Sequence, residues 1–152
     1  MAKTGKLNAE IKVKSDADNF WKAILDSANI FPKACSDIYK AIEVVEGNGR
    51  SVGSVRVVHF TEGSAGVKLV KEKIEEVDEA KKKVAYRMID GDMTQYFKSF
   101  KSSVEVIPDG EGSLVKWFCE FEKASEEVPG PEMTRDLVAK NFKQIDDFLL
   151  KA

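Results

Sequence analysis

The chain has little of what most catalytic chemistries draw on. One histidine and two cysteines occur among its 152 residues. Cys35 and Cys119 lie far apart, without the spacing of a metal-ligand set or a redox pair. With a single histidine, a zinc site would need an unusual ligand set, so neither metal nor cofactor is expected. No segment approaches the apolar length of a membrane-spanning helix, and Met1-Ala2-Lys3-Thr4-Gly5-Lys6 lacks the apolar core of a signal peptide. The expectation is a cytoplasmic protein with reduced thiols and no membrane insertion. Excess positive charge is absent too: 24 Lys and Arg stand against 26 Asp and Glu, a net charge of −2. Electrostatic capture of nucleic acid therefore has no support, and no such partner is expected. The Lys81-Lys82-Lys83 run sits beside Glu75, Glu76, Asp78 and Glu79 and reads as a solvated turn.

Internal repeats, low-complexity tracts and linkers are also missing, so one domain spanning residues 1–152 is expected. What is present is a 43% hydrophobic chain, enough to bury a core. Leu7, Ala9, Ile11 and Val13 alternate with polar residues and predict a half-buried strand. Ser15-Asp16-Ala17-Asp18 resembles a capping box, with a serine oxygen accepting an orphan backbone N–H. Phe20, Trp21, Ile24 and Leu25 then recur at helical spacing, and Asn29 to Lys33 opens a second short helix that Pro32 limits. These two helices are expected to form a V. Ile38 to Glu46 and Gly53 to Phe60 read as strands, joined by a loop whose glycines predict positive φ. Further strands are expected over Val67 to Asp78, Lys82 to Asp90, Gln95 to Ile107 and Ser113 to Lys123. Pro108-Asp109-Gly110-Glu111-Gly112 marks the last hairpin. After Pro129-Gly130-Pro131, the apolar stripe of Met133, Leu137, Val138, Phe142, Ile145, Phe148 and Leu149 predicts a helix of about 20 residues, or about 30 Å. A twisted antiparallel sheet of seven strands is a partner long enough for it. One helix does not fill such a sheet, and the remainder is a cavity suited to an apolar ligand.

Several motifs taken in order resemble a known plant family. They are Gly5-Lys6-Leu7, Glu46-Gly47-Asn48-Gly49 with Gly53-Ser54, Val77-Asp78, Met88-Ile89-Asp90-Gly91-Asp92, and Tyr96 through Lys101. Pro108-Asp109-Gly110, Gly112-Ser113-Leu114-Val115-Lys116-Trp117 and Ala139-Lys140-Asn141-Phe142-Lys143 complete the set. Over essentially its whole length the chain resembles the major latex protein-like branch of the family typified by the birch pollen major allergen (pathogenesis-related class ten). The resemblance implies an α+β helix-grip fold: seven curved antiparallel strands around a long C-terminal helix, two short helices in a V, and an internal hydrophobic cavity. It also implies a cytosolic binding protein or carrier for hydrophobic plant small molecules of the hormone, sterol, flavonoid or alkaloid class, linked to defence or stress. The partner is then a hydrophobic small molecule, and the protein a monomer or weak dimer.

On that fold, strand parity turns a defined set of residues toward the concave face. Ser54, Arg56, Val58 and Phe60 face Val70 and Glu72, then Val84, Tyr86 and Met88. Lys98, Phe100, Ser102 and Val104 follow, then Val115, Trp117, Cys119 and Phe121. Met133, Leu137, Val138 and Asn141 or Phe142 close the wall from the helix. An inward arginine and an inward glutamate invite each other, because a buried charge is costly unless paired. Arg56 and Glu72 read first as a structural ion pair at the sheet rim, and second as a polar anchor or acid/base pair. His59 falls on the opposite parity and is expected on the outer face. Trp117 and Phe121 serve equally as core or ligand shelf, and Cys119 reads as a buried inert thiol.

The alternative to a carrier is a non-metal enzyme of specialised metabolism, of isomerase or condensation type, with Glu72 as its acid/base. In norcoclaurine synthase, a condensing relative, a tyrosine, a glutamate, a lysine and an aspartate act together. Here the glutamate position is Glu72, but the tyrosine and lysine positions hold Val70 and Val84, which favours the carrier. Abscisic acid receptors in the superfamily carry two gate motifs. The corresponding segments here, Thr61-Glu62-Gly63-Ser64-Ala65-Gly66 and Asp90-Gly91-Asp92-Met93, lack both. The glycine loop likewise lacks the lysine and Ser/Thr ending of a phosphate-binding loop and reads as a rigid turn.

Overall fold

A computed structural model describes residues 3–61 and 68–151. The first strand, β1 (Thr4–Val13), buries Ile11 and Val13 and exposes the lysines and glutamate between. Two short helices follow, α1 (Ala17–Leu25) and α2 (Ser27–Ala34), sharing Asp26 as the cap between them. Five strands come next: β2 (Tyr39–Glu46), β3 (Val55–Phe60), β4 (Leu69–Asp78), β5 (Lys83–Gly91) and, after a single 3-10 turn at Asp92–Gln95, β6 (Phe97–Asp109). A two-residue turn leads to β7 (Gly112–Lys123), and the chain closes with α3 (Glu132–Lys151). Among the described residues the strands form one seven-stranded sheet in the order β1-β7-β6-β5-β4-β3-β2, every pair antiparallel. This is the expected helix-grip arrangement.

The core lies where α1 and α3 meet the concave face. Phe20 and Phe142 are almost fully enclosed, their rings edge to face at 6.0 Å. Ile24, Ile145, Val106 and Val115 pack around them. Enclosing each such side chain stabilises the fold by about 2 kcal/mol from apolar area alone. The apolar stripe of α3 therefore dictates where the helix sits.

Local details depart from expectation in instructive ways. The cap of α1 is Asp16, whose carboxylate accepts from Asn19 N at 3.3 Å. Ser15 is instead held by Asp146 of α3. A carboxylate one residue closer to the helix makes the better cap, which releases the serine for a tertiary contact. In the last hairpin, Pro108 and Asp109 belong to β6, and Gly110-Glu111 alone make the reversal. Val67, the expected start of the fourth strand, lies outside the described residues.

Candidate functional site

Between the concave face and α3 lies a partly open cavity of about 160 Å³. Ile24, Phe31, Ile42, Val58, Phe60, Val70, Met88, Met93, Phe100, Val104, Trp117, Val138 and Phe142 form its apolar wall. Polar groups contributed by Ser27, Tyr39, Arg56, Glu72, Tyr86, Ser102, Thr134 and Asn141 interrupt that wall.

Strand pairing builds the charged part. Arg56 of β3 and Glu72 of β4 are direct cross-strand partners, both turned inward by parity. Arg56 Nη2 donates to Glu72 Oε1, and Nη1 donates to Ser27 Oγ on α2. The guanidinium carbon lies 5.0 Å from the centre of the Tyr86 ring, within cation–π range. The Arg56 side chain is 5% exposed and that of Glu72 19%, so the pair belongs to the cavity wall and not to the rim. Burial works against the Arg56 charge. Glu72, and after it Tyr86, outweigh that cost and hold the guanidinium above its ordinary range. Glu72 Oε2 has no hydrogen-bond partner among the described residues.

A second polar pair joins the sheet to α3. Asn141 Nδ2 donates to the Tyr39 hydroxyl at 3.0 Å. Tyr39 is fixed by ring contacts with Phe31 and Phe60, each at 5.3 Å. Burial, and after it the Glu72 charge, pushes the Tyr39 phenol well above its usual range, and burial likewise raises Tyr86. Both phenols therefore stay protonated at physiological pH. Arg56 Nε and Asn141 Oδ1 are enclosed without any partner among the described residues. Buried polar atoms are usually satisfied, and two of the three orphans among the described residues, the third being Gln144 Oε1, belong to residues lining this cavity.

Most of the residues that parity turns inward line this cavity: Arg56, Val58, Phe60, Val70, Glu72, Tyr86, Met88, Phe100, Trp117, Val138 and Asn141. Lys98 does not. A register shift between Phe97 and Ser99 interrupts the β6–β7 pairing, and it turns Phe97 inward and Lys98 outward. The lysine is 60% exposed, 3.8 Å from Glu122. Val115 and Cys119 do face inward and are fully buried, but they lie in the packed core. Phe121 packs edge to face on Phe97 at 5.8 Å. Met133 is 71% exposed, while its neighbour Thr134 lines the cavity, so the first turn of α3 faces the cavity one residue later than expected. Leu137 is half-buried beside the cavity without lining it. The lining residues that the inward set missed are Ile24 of α1, Ser27 and Phe31 of α2, Tyr39 and Ile42 of β2, Met93 in the 3-10 turn, and Thr134 of α3.

The remaining candidates are accounted for structurally. His59 is partly exposed beside Glu43, at 3.7 Å. Burial pushes the Cys119 thiol up to about 11 and that of Cys35 up to about 12, which leaves both inert. In the glycine loop, Asn48 Oδ1 accepts from Arg50 N at 2.8 Å and Ser51 N at 3.0 Å, and Ser54 Oγ accepts from Gly49 N. Those amides are thereby occupied, as a rigid turn requires and an anion cradle does not allow. Gly47 and Gly49 have φ of +74° and +81°, a region costly for side-chain-bearing residues. Of the two segments matching receptor gates, residues 62–66 lie outside the described part. In the other, Asp92 is pinned by accepting from Lys68 N and Leu69 N.

Residues 2–152 match the profile of the Pathogenesis-related protein Bet v 1 family. MLP-like protein 423 of Arabidopsis thaliana is 46% identical over 151 residues, covering 99% of this chain and 97% of that protein. The crystal structure of ginseng major latex-like protein 151 from Panax ginseng superposes with a TM-score of 0.88 at 29% identity, covering 95% of this chain and 97% of that one. Norcoclaurine synthase from Thalictrum flavum superposes with a TM-score of 0.78 at 23% identity, over 98% of this chain and 88% of its own, a likeness of fold alone.

Proposed function

This chain belongs to the pathogenesis-related Bet v 1 family, in its major latex protein branch, and from that premise we propose that it carries or buffers a hydrophobic plant small molecule held in the cavity between α3 and the sheet. The observation that carries the reading is a predominantly apolar cavity wall interrupted by Arg56, Glu72 and Tyr39. Such a site gives affinity through burial and orientation through a few polar groups. The size of the void sorts the candidate classes. At about 160 Å³ it is on the scale of an engineered apolar cavity of about 150 Å³ that binds benzene. Ring-sized portions of hormones, flavonoids or alkaloids fit it directly, whereas a sterol requires α3 or the 3-10 turn to move outward. A cytoplasmic protein acting as a monomer or weak dimer in defence or stress suits such a carrier.

The test is mass spectrometry of a hydrophobic plant extract incubated with purified protein, against a protein-free control. Retention of an unchanged compound is the expected result. A second reading, a non-metal isomerase or condensing enzyme, draws on one specific observation. Glu72 Oε2 is free beside a protonated phenol, as a general acid/base site would need. Under that reading a new product forms and disappears with Glu72→Gln while ligand retention survives. Under the carrier reading Glu72→Gln changes only affinity. An extract from which nothing is retained or converted overturns both.

A further inference from the structure

The charge balance among the cavity's polar groups narrows the ligand class, resting on the carrier reading above. The only cation on the cavity wall, among the described residues, is Arg56. Each of its outer nitrogens already gives one hydrogen to the protein, Nη1 to Ser27 and Nη2 to Glu72. One face of its guanidinium lies against the Tyr86 ring, and Nε is enclosed. With the side chain only 5% exposed and already paired to a carboxylate, it does not present an open, uncompensated fork of the kind by which arginine captures a carboxylate or phosphate. On the same wall Glu72 is the more exposed partner, at 19%, and its second carboxylate oxygen, Oε2, is left to accept. A ligand carboxylate placed there would face a like charge on a partly desolvated wall. The Tyr39–Asn141 pair supplies the complement. One hydrogen bond joins them, and turning the Asn141 amide over exchanges their roles. In either setting two donor hydrogens of the pair are left over.

We infer that the cavity selects neutral ligands carrying a hydroxyl, a group that both donates and accepts, and rejects carboxylates of the same shape. The hydroxyl gives its hydrogen to Glu72 Oε2 and receives one from the Tyr39–Asn141 pair, while the ring lies against the apolar wall. Glu72 is then a specificity-determining residue. Its negative charge neutralises Arg56 and turns what would be an anion site into a site for alcohols and phenols.

Three single-ring probes test this at neutral pH: ethylbenzene, 4-ethylphenol and 4-ethylbenzoate, with dissociation constants from protein-observed NMR titrations. Ethylbenzene reports the apolar cavity alone. The wild-type protein is expected to bind 4-ethylphenol at least 10-fold tighter than 4-ethylbenzoate, and tighter than ethylbenzene. Binding of ethylbenzene together with 4-ethylbenzoate affinity equal to or above that of 4-ethylphenol overturns the inference and leaves the carrier reading standing. Failure of all three probes, ethylbenzene included, overturns the carrier reading and the inference with it. In Glu72→Gln, the freed arginine is expected to tighten 4-ethylbenzoate binding at least 10-fold and reverse the preference, and an unchanged preference in the folded variant overturns the proposal. Because that variant leaves a buried cation unpaired, the paired replacement Arg56→Met with Glu72→Met serves as a second check. It is expected to keep ethylbenzene binding and lose the advantage of the phenol over ethylbenzene. A phenol advantage that persists there overturns the assignment to Glu72.

Discussion

Two buried polar clusters sit at different places in this molecule, and they are built on opposite principles. At the junction of β1, α1 and α3, Asp146 accepts from Lys14 N, Ser15 N and Ser15 Oγ at 2.9, 2.9 and 2.6 Å, and Ser113 Oγ donates to Ser15 O at 2.8 Å. Its carboxylate has both oxygens engaged, and none of its atoms is an orphan among the described residues. In the cavity wall, Arg56, Glu72, Tyr39 and Asn141 keep an open carboxylate oxygen and two enclosed atoms without partners. A closed network fastens elements together. An open one has capacity left for a ligand, which is why the candidate site is the cluster that looks less finished.

The sharpest way to break the comparison is to delete the closed cluster. Asp146→Ala leaves two backbone N–H groups and a buried hydroxyl unpaired, and unsatisfied buried donors are costly. The variant is expected to lose about 3 kcal/mol or more of unfolding free energy, read as a lowered urea midpoint. Its affinity for the ring probes, measured on the folded protein, is expected to stay at the wild-type value. A weakened affinity at full folding would show that the two clusters are coupled through α3.

The open cluster should respond differently. Arg56→Met strands Glu72 in the cavity wall. Because that carboxylate keeps 19% exposure, the expected loss is about 2 kcal/mol, below that of a fully buried broken pair. Replacing Arg56 and Glu72 together by Met removes both desolvation costs and is expected to fall within about 1 kcal/mol of wild type, in either direction. A double-variant loss as large as that of the single variant would make the pair structural. For Asp146 no such apolar double replacement exists, since its main partners are backbone amides that no substitution removes.

The same contrast explains what the sequence discloses. Alternation in β1 and the apolar stripe of α3 are local patterns, and they predicted the sheet, the long helix and the inward pairing of Arg56 with Glu72. Parity gives the face of a strand but not the depth along it. Val115 and Cys119 are inward as expected yet buried in packed core, while Trp117 between them reaches the cavity. Parity also fails across an irregularity, and the register shift at Phe97 to Ser99 carried Lys98 to the surface. Ser27 of α2 and Tyr39 of β2 are joined on the cavity wall by Asn141 of α3, an element about a hundred residues further along the chain. Only the Cys35–Tyr39 connection, where α2 ends and the sheet resumes, hints at the tyrosine: Tyr39 N donates to Cys35 O at 2.9 Å. The Ser15 to Asp146 clip spans 131 positions, and no local pattern announces it.

A third cluster, on the surface, gives the smallest effect and calibrates the other two. Asp37 accepts from Gln144 and Lys140 of α3, each at 2.9 Å, tying the α2–β2 connection to the helix over the cavity. The Gln144 hydrogen bond, and after it the Lys140 one, lowers the carboxyl below its usual 3.8. A depressed folded-state value stabilises the fold above the unfolded value and loses that contribution as pH falls through the folded one. The side chains of Lys140 and Asp37 are 56% and 48% exposed, so screening holds the contribution below about 1 kcal/mol. Asp37→Asn is therefore expected to lower stability only slightly at pH 7, and to flatten the loss of stability below about pH 4. Urea midpoints across that range, with and without added salt, check both points. A salt-insensitive loss as large as that of Asp146→Ala would mean that fastening α3 depends on position over the cavity and not on burial, and the distinction between closed and open clusters would fall.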